Sequence, residues 1–222
     1  MEQKEKRAKK PAIGIPDYTP GEEIFNAVSH GLGALLGTAG LVLLLVRARG
    51  ALAVTTSAVF GASMILLYTM SCLYHALSPR TAAKKVLRVL DHCNVFLLVF
   101  GTYVPAALLG VRGAEGWALF GTVAFFTVLG VVLTAVDLER YKLAAVICEL
   151  CSGWSILIGV PGLARSLGAA GLCWLLLGGV MYSVGAVLYA RGAKKRCRHS
   201  IFHVFCLLGT FCHFWAIYAY LL

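Results

Sequence analysis

Five polar residues stand inside strongly apolar stretches: Ser71 and His75, Asp91, and His199 with His203. A polar or ionisable side chain in hydrocarbon is costly, so each marks a functional position. Ser71 and His75 are four residues apart, as are His199 and His203, a spacing that puts both members of a pair on one helix face. Two imidazoles one helical turn apart grip a single metal ion in helical zinc sites. His75 adds a third imidazole. Three protein ligands with a fourth position left for water is the arrangement of a catalytic zinc centre. The expected cofactor is therefore Zn2+, held by His75, His199 and His203. Asp91 is then the proton acceptor for the water, or an outer anchor for a ligand ring. The Ser71 hydroxyl is placed to hydrogen-bond a ligand or a substrate carbonyl.

The elements that must position these residues are membrane spans. Hydrophobic residues make up 59% of the 222-residue chain and charged residues only 14%, against about 25% charged in soluble domains. A spanning helix takes about 20 apolar residues. Seven apolar segments have suitable length and flanks: Glu23–Val46, Ala53–Leu77, Val89–Leu109, Trp117–Val136, Leu143–Val160, Ala170–Tyr189 and Ser200–Leu222. Residues 1–20 form a basic, proline-containing tail, and residues 21–222 a single transmembrane domain. The first twenty residues lack the apolar core of a cleavable signal peptide.

Lysine and arginine gather in the tail and in alternate connectors: Arg80, Lys84, Lys85 and Arg88, then Arg140 and Lys142, then Arg191 through Arg198. The intervening connectors hold only Arg47, Arg49, Arg112 and Arg165. The positive-inside bias predicts an all-α, seven-helix protein with a cytoplasmic N-terminus and an extracytoplasmic C-terminus. On this topology Ser71, His75, Asp91, His199 and His203 share one depth, in the inner leaflet. The net charge of +10 is thus a topology signal, and nucleic acid is not an expected partner. The expected location is a cell membrane, with membrane lipids and a lipid-like substrate or ligand as partners.

The remaining polar span residues have plainer readings. His30 and His92 lie near cytoplasmic helix ends and read as interfacial. His213 is ten residues beyond His203, about 15 Å deeper along a helix, and reads as polar packing. Glu149 is another intramembrane carboxylate, open to a substrate, proton or pairing role. The cysteines, Cys148 and Cys151 included, read as small apolar packing residues, and the many span glycines as close-packing positions.

The residues Ser71-Cys-Leu-Tyr-His75, Asp91, Gly101-Thr-Tyr-Val-Pro105 and His199-Ser-Ile-Phe-His203, with the later His213, resemble the pattern of the progestin and adiponectin receptor (PAQR) family. The opening Glu22-Glu-Ile-Phe-Asn26 through Ser29-His30-Gly31 is similar to its bacterial hemolysin III branch. The resemblance implies seven helices, a cytoplasmic N-terminus and zinc on His75, His199 and His203, with Asp91 bridging through water and Ser71 close by. Related lipid-amide hydrolases such as the alkaline ceramidases imply a zinc-dependent hydrolysis of a lipid amide or ester. The bacterial branch implies a role in membrane lipid homeostasis in a bacterial inner membrane. Two other readings are a non-enzymatic sensor with a structural zinc, and a pore-forming hemolysin. The long soluble N-terminal region of the animal receptors is missing here, so hormone binding does not carry over.

Overall fold

The computed structural model describes residues 14–192 and 197–222, and every regular element among them is helical. The basic cluster Lys4–Lys10 and the connector residues Lys194, Lys195 and Arg196 lie outside the described residues. The first helix, α1, spans Pro20–Arg47. It begins at Thr19, whose hydroxyl accepts from the Glu22 backbone N–H at 3.3 Å while the Glu22 carboxylate accepts from the Thr19 N–H at 2.9 Å. This reciprocal cap satisfies two of the donors that a helix start leaves without partners. Proline at the first helical position adds a preset φ.

One stripe of α1 is buried: Asn26, His30, Gly33, Gly37, Gly40 and Leu44. Its spacing of three and four residues is that of a single helix face. A Cβ on Gly33 would sit 2.8 Å from both Tyr68 and Leu207, so glycine lets α1 seat between its neighbours. Ile24, Val28, Leu32 and Leu35 face outward, apolar on the side that meets lipid.

Helix α2 spans Ala51–Ala76 and α3 spans Ala82–Pro105. A wide π turn carries the chain on through Ala106–Val111, directly after Pro105, which lacks a donor N–H. The sequence reading started this span at Val89 and left Lys84, Lys85 and Arg88 in a connector. The structure instead starts the helix at Ala82, capped by Thr81, whose hydroxyl accepts from the Lys84 N–H at 3.3 Å. Lys84 and Arg88 are buried. Each is paired: Lys84 with Glu23 at 2.5 Å, and Arg88 with Glu139 at 2.6 Å. Those pairings let charges occupy a helix that composition alone ended early.

Helix α4 spans Gly113–Val136. Helix α5, Lys142–Trp154, has only 13 residues and passes into a 3-10 turn at Ser155–Ile158. Helix α6 covers Val160–Gly192 with a non-helical residue, Gly168, inside it. Helix α7 spans Arg198–Ala216 and ends in a π turn at Ile217–Leu221. Among the described residues, six of the seven helices are long and apolar enough to cross a membrane by themselves, and α5 is not one of them. The sequence reading placed a connector between Val160 and Ala170, but the chain stays helical from Val160 to Leu167.

Contacts show what that arrangement does. The Lys142 ammonium lies 4.3 Å from the centre of the Tyr189 ring, at the end of the bundle that holds the histidines. Gly110, in the π turn beyond the far end of α3, packs against Leu163. The chain from α5 through Leu167 therefore crosses the whole bundle, broken by the 3-10 turn, and α6 returns after Gly168. Gly168 adopts φ +65° and ψ 178°, a region that L-residues avoid and glycine enters freely. At the far end Val99, Tyr103, Leu119, Val123, Leu163 and Leu175 pack into one apolar cluster. A second cluster of Phe60, Met64, Leu67, Tyr68 and Leu98 joins α2 to α3 and α7.

Nothing lies within 4 Å of a Cβ built on Gly168, so Gly168→Ala tests backbone strain alone. It is expected to cost about 1–2 kcal/mol. Gly179→Ala, also in open space but with a helical backbone, should be neutral or stabilise by up to about 1 kcal/mol. Thermal unfolding of the two variants in detergent should move in opposite directions, or at least differ by this amount.

Candidate metal centre

Two helix ends bring the histidines together: the C-terminal turn of α2 supplies His75, and the first turns of α7 supply His199 and His203. One nitrogen from each lies within 4.8 Å of the others. The Nε2 of His199 is 3.2 Å from that of His75 and 3.1 Å from that of His203. Nitrogens about 2.0–2.1 Å from one tetrahedral ion stand about 3.3 Å apart. The observed separations match that spacing, so the three residues could hold a metal ion. His75 and His203 are buried and His199 is half-buried.

The other nitrogen of His75 fixes which atom faces the ion. Its Nδ1 lies 2.6 Å from Oε2 of Glu23. A carboxylate accepts only, so Nδ1 carries the hydrogen and Nε2 keeps its lone pair for a metal. The second Glu23 oxygen accepts from the Lys84 ammonium at 2.5 Å, and that ammonium also donates to the Leu77 carbonyl at 2.8 Å. Sequence reasoning assigned Glu23 no role. The signal was present as an acidic residue at i, i+3 and i+7 with Asn26 and His30, but the partner lies 52 residues away.

Two aromatic contacts complete the surroundings of the ligands. Tyr18, just before α1, stacks on His199 with ring centres 5.0 Å apart and planes 22° apart. Burial pushes the ionisation of its hydroxyl well above the ordinary value, so it remains a neutral phenol. His30 stacks on His203 with centres 3.6 Å apart and planes 11° apart. This corrects the interfacial reading of His30, which is buried with both ring nitrogens unpartnered. The helix face, invisible to residue counting from the span end, turns it inward. His92 is half-buried, and its Nε2 pairs with the Tyr189 hydroxyl at 2.9 Å.

Beside the ligands runs a cavity of about 110 Å³, lined by His199, His203, Asp91, Ser71 and His30 at one end. Its wall follows α3 from Asp91 to Ala106, about 22 Å at helical rise. Away from the histidines the lining becomes apolar, with Leu98, Val99, Leu175 and Leu176. Asp91 is buried and its Oδ2 is 3.7 Å from Nδ1 of His92. Ser71 is fully buried with its hydroxyl unpartnered. Both expected site residues thus share a wall with two of the three histidines, and His75 stands just behind that wall. His213 and Glu149 also line the cavity, His213 buried and packed against Gly178.

The chain matches the family model described as Haemolysin-III related over residues 18–214. It is 35% identical to Hemolysin-3 of Bacillus cereus, an alignment covering 90% of this chain and 92% of that protein. Identity to the Hemolysin-3 homolog of Bacillus subtilis (strain 168) is also 35%, over 91% of this chain and 96% of the relative. Identity to the human Monocyte to macrophage differentiation factor is 23%, over 95% of this chain and 89% of that protein. No solved structure matches the chain. A family match over residues 18–214, and two relatives similar along nearly their whole length, place this chain in the hemolysin III family of multi-pass membrane proteins, the bacterial branch of the PAQR family.

Proposed function

We propose that this protein is a zinc-dependent hydrolase that cleaves an amide or ester bond in a membrane lipid. The reading rests on one observation: two of the three triad histidines, with Asp91 and Ser71, line one end of a long cavity whose wall along α3 becomes largely apolar. An amphiphile could lay its chain along α3 with its polar linkage beside the histidines. Zinc is the ion suited to three imidazoles, and when bound it supplies a polarised carbonyl and an acidified water. Asp91, in the same cavity wall, would accept a proton from a water held there. The unpartnered Ser71 hydroxyl donates to the substrate carbonyl. Glu23 and Lys84 hold His75 in the tautomer that presents Nε2. Tyr18 covers His199 at the polar end, so the substrate arrives along the cavity from the bilayer.

The family and the basic asymmetry support a cytoplasmic N-terminus, an extracytoplasmic C-terminus and a site in the inner leaflet of a bacterial inner membrane. Turnover there would serve membrane lipid homeostasis. The competing reading is a sensor in which zinc only ties α2 to α7. It is favoured by the position of His75 behind the cavity wall.

Three outcomes are expected. Purified protein should carry about one zinc per chain, and His199→Ala and His203→Ala should lose it. Equal zinc in all three proteins by elemental analysis would remove the triad as the site. Wild type should hydrolyse some member of a panel of lipid amides and esters, while Asp91→Asn keeps the metal but loses about 100-fold or more in turnover, because the amide cannot accept the proton. Absence of turnover by wild type across the panel would favour the sensor. Reporter fusions should find the two termini on opposite sides of the membrane, with the N-terminus inside; both on one side would overturn the topology.

A further inference from the structure

Each of the three ligand rings meets at least one residue from α1 or the segment leading into it, and Tyr18 also lies 5.7 Å from His75 between ring centres. Glu23 accepts the Nδ1 hydrogen of His75 at 2.6 Å. Tyr18 lies over His199 at 5.0 Å between ring centres, and His30 lies over His203 at 3.6 Å. Helix α1 and the segment leading into it contribute no imidazole to the triad, yet together they touch every member of it. The contacts also divide by chemistry. A hydrogen bond fixes the tautomer and rotation of one ring, and flat stacking fixes the plane of each of the other two.

None of the three residues is placed as a fourth ligand. Both Glu23 oxygens are committed, one to His75 and one to the Lys84 ammonium. That ammonium is fully buried and further anchored on the Leu77 carbonyl, so the carboxylate is pinned between α2 and α3. Tyr18 presents its ring face to His199. His30 is stacked nearly parallel to His203, and parallel rings do not aim their edges at the same point.

An imidazole that turns freely about its side-chain torsions must be ordered each time it binds a metal, and that ordering opposes binding. Residues that hold the rings in advance remove the cost, and outer-shell partners of this kind typically contribute 10- to 100-fold in metal affinity. We propose that Tyr18, Glu23 and His30 are positioning residues of the metal centre, one for each ligand, so that docking of α1 and loading of the metal are a single coupled event. This rests on the reading of the triad as a metal site. Coupling is reciprocal: if a seated α1 tightens the metal, the metal must steady α1.

The test uses the full chain in detergent, with zinc affinity measured by chelator competition and bound cobalt followed by its visible spectrum. Glu23→Gln is nearly isosteric and keeps an acceptor, so it should weaken zinc modestly. Glu23→Ala should weaken it by about 10- to 100-fold. His30→Phe retains a flat ring and should lose less affinity than His30→Ala. Ile24→Ala, on the outward face of the same helix turn, should change nothing. The cobalt spectrum should shift in the Glu23 variants, because ligand geometry changes even when stoichiometry does not. Hydrogen exchange along α1 should slow on adding zinc to wild type, and the slowing should shrink in Glu23→Ala. If wild type binds no zinc, the metal reading fails and the coupling falls with it. If wild type binds zinc and the Glu23 and His30 variants match it in affinity and spectrum, the metal site stands and the positioning role is overturned.

Discussion

The hydrogen bond between Glu23 and His75 is the contact on which the polar end of this bundle depends. A carboxylate in a bundle of apolar helices is tolerable only when its charge and lone pairs are taken up. Here one oxygen takes the Nδ1 hydrogen of His75 and the other takes the Lys84 ammonium. Three helices are tied by one side chain: α1 through Glu23, α2 through His75 and α3 through Lys84. Helix α7 joins the same knot twice. His199 brings its Nε2 to that of His75, and the backbone N–H of Cys197 donates to Glu22 at 2.6 Å.

That knot explains the distribution of the other unusual residues. Arg88 and Lys84 are buried because acidic partners meet them at the same end of the bundle. Asn26, His30 and Ser71 carry buried polar atoms without protein partners. At the opposite end the helices meet through Leu119, Val123, Leu163 and their neighbours. The molecule is thus polarised along its length: an ionic, hydrogen-bonded end that specifies chemistry, and an apolar end that supplies packing.

The cavity connects the two ends, lined by His199, His203 and Asp91 at one and by Leu98, Val99 and Leu175 toward the other, with Glu149 and His213 also in its wall. The break in the fifth crossing borders it, since Gly153, Trp154 and Ile156 all line the cavity. The interruption of regular helix at Ser155–Ile158 therefore falls where the protein meets whatever enters. Non-helical backbone at membrane depth is tolerated where it is buried or lines a cavity. Here the Tyr103 hydroxyl accepts from the freed Ile156 N–H at 2.9 Å and donates to the Gly153 carbonyl.

Much was decided by the sequence alone, for a physical reason. Hydrocarbon excludes charge, so apolar runs and their flanks mark the helices, and a histidine inside a run stands out without any structure. The triad followed from spacing, because His199 and His203 are one turn apart and local geometry sets their common face. The family followed from the same residues. Tertiary structure decided what depends on facing. Which side of α1 turns inward made His30 a neighbour of His203, and residue counting could not show it. Lys84 and Arg88 looked like connector charges because their partners, Glu23 and Glu139, come from other elements. The short α5, the helical stretch to Leu167 and the turn at Gly168 escaped the hydropathy pattern, because a 3-10 turn leaves composition unchanged. Glu23 was legible as a residue but not as a role, since a hydrogen bond across 52 positions exists only once the helices have packed.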